Sequence, residues 1–279
     1  MLSIIFGLMS ALAWGGGDFL GGLSSRRIGA LLAVFYAEFL GLGFLLAAIP
    51  IVREPFPSWV SIALGLSCGA LGSFALMLLY QAMASGQMSI AASVSALLAA
   101  VVPIVVGAFT EGMPGWLPFI GFAFALAAVW LISQEGGAAK PHLTRLSDLR
   151  LPLLAGFGFG LYFVMMHEAS RQATLWPMVA SRTGGSILLL AFVLFRRTTM
   201  RTKPGDWVYI IPNAVLDVGG NVFYVLAGQA GRMDIAAVLG ALYPGGTVVL
   251  AWLFLKEHIS RQQAVGILAA LLAIVLMTM

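Results

Sequence analysis

Polar side chains recur at helical spacing in one otherwise apolar stretch of the chain. Asp217, Asn221 and Tyr224 stand at positions i, i+4 and i+7. On a helix this spacing places the three side chains on one face. We interpret the stripe as the lining of a wet cavity; the alternative is hydrogen bonding to a neighbouring helix, which also requires polar groups there.

Glu38 and Arg182 also lie deep within apolar stretches. Burial disfavours the charged form of a carboxylate, so Glu38 could bind an ammonium group or carry a proton. It could equally neutralise Arg182 in a structural pair. Arg182 could instead hold a carboxylate through two parallel hydrogen bonds, although we favour a structural or gating role.

Asp18 stands in the stretch WGGGDFLGG, which contains five glycines. It lies closer to the end of its apolar stretch than Glu38 and Asp217 do, so we rank it below them. Two interpretations stay open for its carboxylate. It lines the mouth of a cavity, or it pairs structurally, with Arg26 or Arg27 within reach.

Aromatic rings near the middle of the apolar stretches could stack on a flat or cationic ligand. The candidates are Trp14, Tyr162 and Tyr243, while Tyr80 lies nearer a surface and is a candidate gate. The alternative for each ring is ordinary packing between helices.

His167 and three further positions complete the candidates. In HEASR, Arg171 stands where a zinc HExxH motif needs its second histidine, so we expect no metal site. His167 is then either a pH-sensitive gate at a helix end or a solvated residue. Pro103 and Pro244 remove helical hydrogen bonds and permit bends, so both are candidate hinges.

These residues must be positioned by membrane-spanning helices. The chain is 61% hydrophobic and 9% charged, with a mean hydropathy of +0.99, whereas soluble domains are about a quarter charged. A helix needs about 20 apolar residues to cross the membrane core. Ten spans are predicted, at 2–22, 30–51, 58–81, 87–109, 115–133, 151–170, 176–195, 207–228, 234–254 and 260–278.

Basic residues are distributed unequally between the two sets of loops. The loops after the odd-numbered spans contain Arg26, Arg27, Lys140, Arg145, Arg150, Arg196, Arg197, Arg201, Lys203, Lys256 and Arg261. The other side has only Arg53, Arg171 and Arg232. By the positive-inside rule, the first set is cytoplasmic and both termini are outside. The pI of about 9.5 therefore reports orientation, and we expect no nucleic-acid partner.

The two halves of the chain resemble each other at an offset of 145 residues. GQMSIAASVSAL (86–97) aligns with GRMDIAAVLGAL (231–242), and Trp14-Gly15 aligns with Phe159-Gly160. Each half contains five spans, so the second half must enter the membrane from the opposite side. We predict an all-α polytopic membrane protein with two inverted five-helix repeats, 1–134 and 151–279, joined by a connector at 135–150. Transporters commonly have this design, with the substrate near the midplane.

Residues 241–277 resemble the end of a repeat in the EamA family of the drug/metabolite transporter superfamily. The matching positions are Pro244, Glu257, Gln262 or Gln263, and Gly266, with Trp14-Gly15 and Arg182 matching earlier positions of the repeat. Lys256 departs from the family pattern, which has glycine before the glutamate. The resemblance is greatest to ten-helix amino-acid exporters, aromatic amino-acid exporters among them, and implies export of amino acids and related metabolites across the bacterial inner membrane.

Other function classes fit less well. We find no P-loop for ATP and no HExxH or GxSxG motif of an intramembrane enzyme, so neither enzyme activity nor a cofactor is expected. A nucleotide-sugar or sugar-phosphate carrier would require several deep basic residues, and only Arg182 is deep. We expect a secondary exporter working by alternating access as a monomer in the lipid bilayer, with a small molecule, such as an amino acid, as its partner.

Overall fold

The computed structural model describes residues 1–84, 88–132, 149–246 and 260–278. These residues form helices joined by short loops, and they include no strand. The helices are α1 (Leu2–Ile28), α2 (Ala30–Val52), α3 (Trp59–Ala84), α4 (Met88–Thr110), α5 (Trp116–Ile132), α6 (Arg150–Ala169), α7 (Leu175–Phe195), α8 (Trp207–Gln229), α9 (Met233–Gly240) and α10 (Arg261–Thr278). Most of the predicted connector and Lys256 and Glu257 lie outside the described residues.

The protein is a multi-pass membrane protein. Six of the described helices, α1, α2, α3, α6, α7 and α8, are long and apolar enough to cross a membrane, and 94–110, 116–132 and 261–277 form shorter apolar helices. Apart from α1, which extends past its predicted end at residue 22 to Ile28, their bounds follow the predicted spans closely. Apolar runs of this length are stable as helices in lipid, where every backbone polar group must be bonded internally. The predicted all-α polytopic fold is confirmed.

The ninth predicted span is not one continuous helix. It begins as α9, which ends at Gly240, and a turn at Ala241 and Leu242 precedes a further helical stretch at 243–246. In the turn, the Leu242 amide donates to the carbonyl of Leu239, three residues back, at 3.1 Å. Pro244 has no N–H to donate to the Gly240 carbonyl, which accounts for the break. By contrast, α4 continues through Pro103.

The loops meet at two opposite faces of the helix bundle. The terminal face carries Met1 and the loops after α2, α4, α6 and α8; there the Arg232 guanidinium donates to the Gly112 carbonyl at 2.8 Å. The opposite face carries the loops after α1 and α7; there Arg27 Nη1 lies 3.4 Å from Asp206 Oδ1.

Helix pairs from the two halves interlock across the bundle. α1 packs along α8, α3 packs along both α6 and α7, α4 packs along α6, and α5 packs along α10. The closest approach joins α3 to α7. A Cβ at Gly69 would overlap the carbonyl of Ser181, and a Cβ at Gly184 would overlap the carbonyl of Leu66. Glycine at these two positions therefore lets the helix backbones touch.

Candidate functional site

A cavity lies at the centre of the bundle. Its walls come from both halves of the chain, with α1, α2, α3, α6, α7 and α8 all contributing. The side chains on its wall are mostly apolar and aromatic, interrupted by one cluster of charged and polar groups. The polar and aromatic residues of the lining are Trp14, Asp18, Glu38, Ser73, Phe159, Tyr162, Phe163, Ser181, Arg182, Asp217, Asn221 and Tyr243.

Arg182 is the centre of the charged cluster. Its Nη1 atom lies 2.5 Å from Asp217 Oδ2 and 3.1 Å from Glu38 Oε1. The Ser73 hydroxyl donates to Glu38 Oε1 at 3.0 Å. Glu38 and Arg182 are both buried, so each ion is compensated within the protein, as burial requires. Of the two interpretations of Glu38, pairing with Arg182 is the one present here.

The formal charges on the cavity wall do not balance. Asp18, Glu38 and Asp217 are three carboxylates, whereas Arg182 is the one basic residue on the described wall. Excess negative charge in a low-dielectric site is unfavourable unless a proton or another cation compensates it. The wall is therefore chemically suited to bind a cationic group.

Asp18 lies deeper in the bundle than its position in the sequence indicated. It lines the same cavity as Glu38 and Asp217, and it also borders a narrower recess with Tyr80 and Asn213. Arg27, one of the two arginines considered as its partners, is paired with Asp206 instead. Position along a helix underestimated the depth of Asp18, because α1 extends to Ile28 and not to residue 22.

The polar stripe of α8 divides between the cavity and the packed interior. Asn221 faces the cavity, where its Oδ1 accepts from the Tyr162 hydroxyl at 2.5 Å and its Nδ2 donates to the Asp217 carbonyl at 2.7 Å. Tyr224 does not line the cavity. It is almost fully buried and donates to the carbonyl of Phe163 at 2.9 Å, so the alternative interpretation, bonding to a neighbouring helix, applies to this residue.

His167 lies at the terminal face, away from the central cavity. It lines a wide, open vestibule together with Glu54, Glu111 and Arg171. Its Nε2 atom is 3.7 Å from Glu111 Oε1. Within the described residues no cluster of His, Cys, Asp and Glu could hold a metal ion.

Ionic contacts at the start of α9 lie beside the vestibule, which Glu111 and Gly231 line. Arg232 Nη2 lies 2.7 Å from Asp234 Oδ2, and Glu111 accepts from the Met233 amide at 3.3 Å. The hydrogen bond to Asp234 raises the pKa of Arg232 above its usual value, so this guanidinium stays charged. These contacts tie the end of α4 to the start of α9.

Several contributing residues were not among the sequence candidates. Ser73 and Ser181 resemble ordinary small residues of a packed helix, and Asn213 is an isolated amide. Glu54 and Glu111 are in loops, where charged residues are usually solvated. The one signal available for Glu111 was its alignment by the 145-residue offset with Lys256. This alignment indicates a position at the end of a loop, but it does not indicate which residues Glu111 contacts.

Comparison with known proteins gives three similarities. Residues 149–279 match the EamA-like transporter family. An uncharacterised protein of Methanocaldococcus jannaschii is 29% identical over 122 residues, which is 44% of this chain and 88% of that protein. A protein of known crystal structure superposes with a TM-score of 0.80 at 15% identity, over 99% of this chain and 96% of that one, so the two share a fold.

Proposed function

Residues 149–279 match the EamA-like transporter family, and from this similarity we propose that the chain is a secondary transporter exporting amino acids and related small amines. The export would be across the bacterial inner membrane, by alternating access. The fold and the central cavity support this proposal in different ways.

The excess of carboxylates on the cavity wall is the observation that favours an amino acid or amine as the substrate. A substrate ammonium group near Asp18 and Asp217 would offset negative charge that Arg182 alone does not balance. Tyr162 and Asn221 offer hydrogen-bonding groups beside it, and Trp14 and Phe159 offer ring surface for an apolar or aromatic side chain. A cavity with mainly apolar walls and a few convergent polar groups is typical of small-molecule sites.

The helix packing supports alternating access between two related halves. Under the 145-residue offset, α1 corresponds to α6 and α3 to α8. The packing of α1 on α8 then has its counterpart in the packing of α6 on α3, and that of α4 on α6 in that of α9 on α1. Reciprocal packing of this kind is expected of inverted repeats, which transport by rocking around a central site.

A phosphorylated substrate fits this wall less well. Phosphate recognition uses several cationic or N–H donors, whereas Arg182 already donates to two carboxylates. The alternative is a nucleotide-sugar or sugar-phosphate carrier, and the experiment must distinguish these substrates from amino acids and amines.

Counterflow in proteoliposomes tests the proposal. Vesicles loaded with one unlabelled compound are scanned for uptake of the same labelled compound, covering amino acids, amines and sugar phosphates, with protein-free vesicles as the blank. We expect exchange of amino acids or amines and none of sugar phosphates. The opposite pattern would refute the substrate class.

The cavity carboxylates give a second readout of the same proposal. Acid protonates carboxylates, so cationic substrate should bind more weakly as the pH falls, and Asp217→Asn or Glu38→Gln should flatten this dependence. Glu168→Gln, at an exposed carboxylate paired with Arg171, is the matched control and should retain the full pH response. A response unchanged in both cavity variants would remove these carboxylates from substrate or proton binding.

A further inference from the structure

Three aromatic side chains lie between the central cavity and the vestibule. Along α8, Asn221 lines the cavity, Tyr224 is buried between helices and Gly228 lines the vestibule. Seven residues of helix rise only about 10 Å. Along α6, Phe163 lines the cavity and His167 the vestibule. The two spaces are therefore separated by only about one helical turn along α6 and about two along α8.

The layer consists of Trp14, Phe163 and Tyr224. The ring centroids of Trp14 and Phe163 are 5.4 Å apart, those of Trp14 and Tyr224 are 5.9 Å apart, and those of Phe163 and Tyr224 are 4.7 Å apart. Helices α1, α6 and α8 each contribute one ring. The rings contact one another, and Phe163 and Tyr224 are buried, so the three rings form a continuous cluster between the two spaces.

Trp14 is held in a slot formed by two glycines. A Cβ at Gly220 of α8 would lie 2.6 Å from Trp14 Nε1, and a Cβ at Gly240 would lie 2.9 Å from Trp14 Cζ3. Either methyl group would displace the indole. Gly240 is the last residue of α9, immediately before the turn at Ala241. The indole therefore rests against the point where this helix breaks.

Phe163 and Tyr224 are fixed more firmly than Trp14. The Tyr224 hydroxyl donates to the Phe163 carbonyl at 2.9 Å, which ties α8 to α6. Within the described residues no hydrogen bond holds the indole itself. The Ser10 hydroxyl donates to the Gly220 carbonyl at 2.9 Å, which holds the wall of its slot. Of the three rings, Trp14 is the one that a change at the α9 break would release.

We propose that the Trp14–Phe163–Tyr224 layer is the gate of the cavity toward the terminal face, and that Trp14 is its moving side chain. Closure depends on the glycine slot, and a shift of Gly240 at the α9 break withdraws the indole. The ionic contacts of Glu111, Arg232 and Asp234 at the start of α9 lie on the vestibule side of this gate. The inference rests on the proposed transport function and deepens it by naming the gate residues.

Thiol labelling of the cavity tests the gate without a substrate. Cys68 is the single cysteine, so Cys68→Ala gives a background in which Ser181→Cys reports the cavity. A membrane-impermeant maleimide is added from the terminal face, and its rate is normalised to that of Met113→Cys, an exposed residue of that face. We expect slow labelling at position 181 and an increase of at least tenfold on adding Trp14→Ala.

The adjacent residues of α8 provide matched controls. Gly220→Ala should also raise the labelling rate, since its methyl group occupies the indole's slot, whereas a Cβ at Gly219 meets nothing within 4 Å and Gly219→Ala should leave the rate unchanged. Phe223→Ala removes a ring that is stacked on Phe6 and not on Trp14, so it should also leave the labelling rate unchanged. If Trp14→Ala does not accumulate, Trp14→Leu and Gly220→Ala provide the measurement.

The outcomes separate the gate from the proposed function. Unchanged labelling in folded Trp14→Ala or Trp14→Leu and in Gly220→Ala, or equal acceleration by Gly219→Ala, overturns the gate even where counterflow succeeds. Accelerated labelling limited to the Trp14 and Gly220 variants supports the gate even where no amino acid or amine exchanges, and in that case the proposed substrates alone are wrong.

Discussion

At the scale of single residues, Arg182 compensates the charges of the buried Glu38 and the partly buried Asp217. Its guanidinium contacts both Glu38 and Asp217, so its removal leaves negative charge uncompensated inside the protein. Breaking a buried ion pair by removing one partner costs about 3–5 kcal/mol. We therefore expect Arg182→Ala to lower the thermal midpoint of the protein in detergent strongly, measured by size-exclusion chromatography after heating.

The charge explanation predicts a specific rescue. Adding Glu38→Gln and Asp217→Asn to Arg182→Ala removes the uncompensated charges and should recover part of the lost stability. Arg27→Ala is the control, since the Arg27 side chain is half-exposed in its pair with Asp206 and pairs open to solvent contribute little to stability. A triple variant no more stable than Arg182→Ala would assign the loss to packing.

The position of charged residues deep within long apolar runs was enough to predict most of the charged cluster. Glu38, Arg182 and Asp217 stand within long apolar runs, and the cost of a charge in lipid makes each a candidate for an internal site. The same reasoning could not separate Tyr224 from Asn221, because one helical face continues past the cavity into packed protein. It also missed Glu54, since a loop carboxylate gives no sign of a partner more than a hundred residues away.

At the scale of elements, the α3–α7 crossing requires glycine where the two helix backbones touch. Gly69→Ala would place a methyl group against the Ser181 backbone, which cannot rotate away, and overpacking of this kind costs about 1–3 kcal/mol or more. We expect a clear loss of thermal stability in detergent. Gly43→Ala on α2, where nothing lies within 4 Å, should cause no loss, because alanine favours the helix; equal losses at both positions would contradict the close crossing.

The N-terminus of α7 is capped by Glu54 from the loop after α2. Its carboxylate accepts from the amides of Thr174 at 2.6 Å and Leu175 at 2.7 Å, which otherwise lack partners at a helix start. Hydrogen bonds to a charged group contribute about 1.5–3 kcal/mol. We expect Glu54→Ala to destabilise the protein by roughly that amount in denaturation experiments, and Glu54→Gln by less.

The matched control for the α7 cap is another acidic residue of the terminal face. Glu168 is exposed and pairs with Arg171 three residues on, so Glu168→Ala should change stability by less than about 1 kcal/mol. A loss as large as that of Glu54→Ala would indicate a general effect of charge at this face.

The elements themselves were largely predictable, whereas their partners were not. Apolar length sets each span, and Pro244 signalled a bend that the structure realises as a turn at Ala241 and Leu242. The touching of α3 and α7 depends on Gly69 and Gly184, which are separated by more than a hundred residues. Nothing local to either glycine distinguishes it from the many others in the chain, so the crossing becomes visible only in three dimensions.

At the scale of the whole molecule, the bias of basic residues predicts orientation. The loops on the terminal face contain few arginines and no lysines, and the positive-inside rule places that face outside the cell. Met113 is exposed on this face, and Gly205 is exposed on the opposite face, where no atom would contact an added side chain. In the Cys68→Ala background, Met113→Cys should react with an impermeant maleimide in intact cells, and Gly205→Cys only after permeabilisation. The reverse labelling pattern would invert the orientation, and the proposed gate would then open toward the cytoplasm.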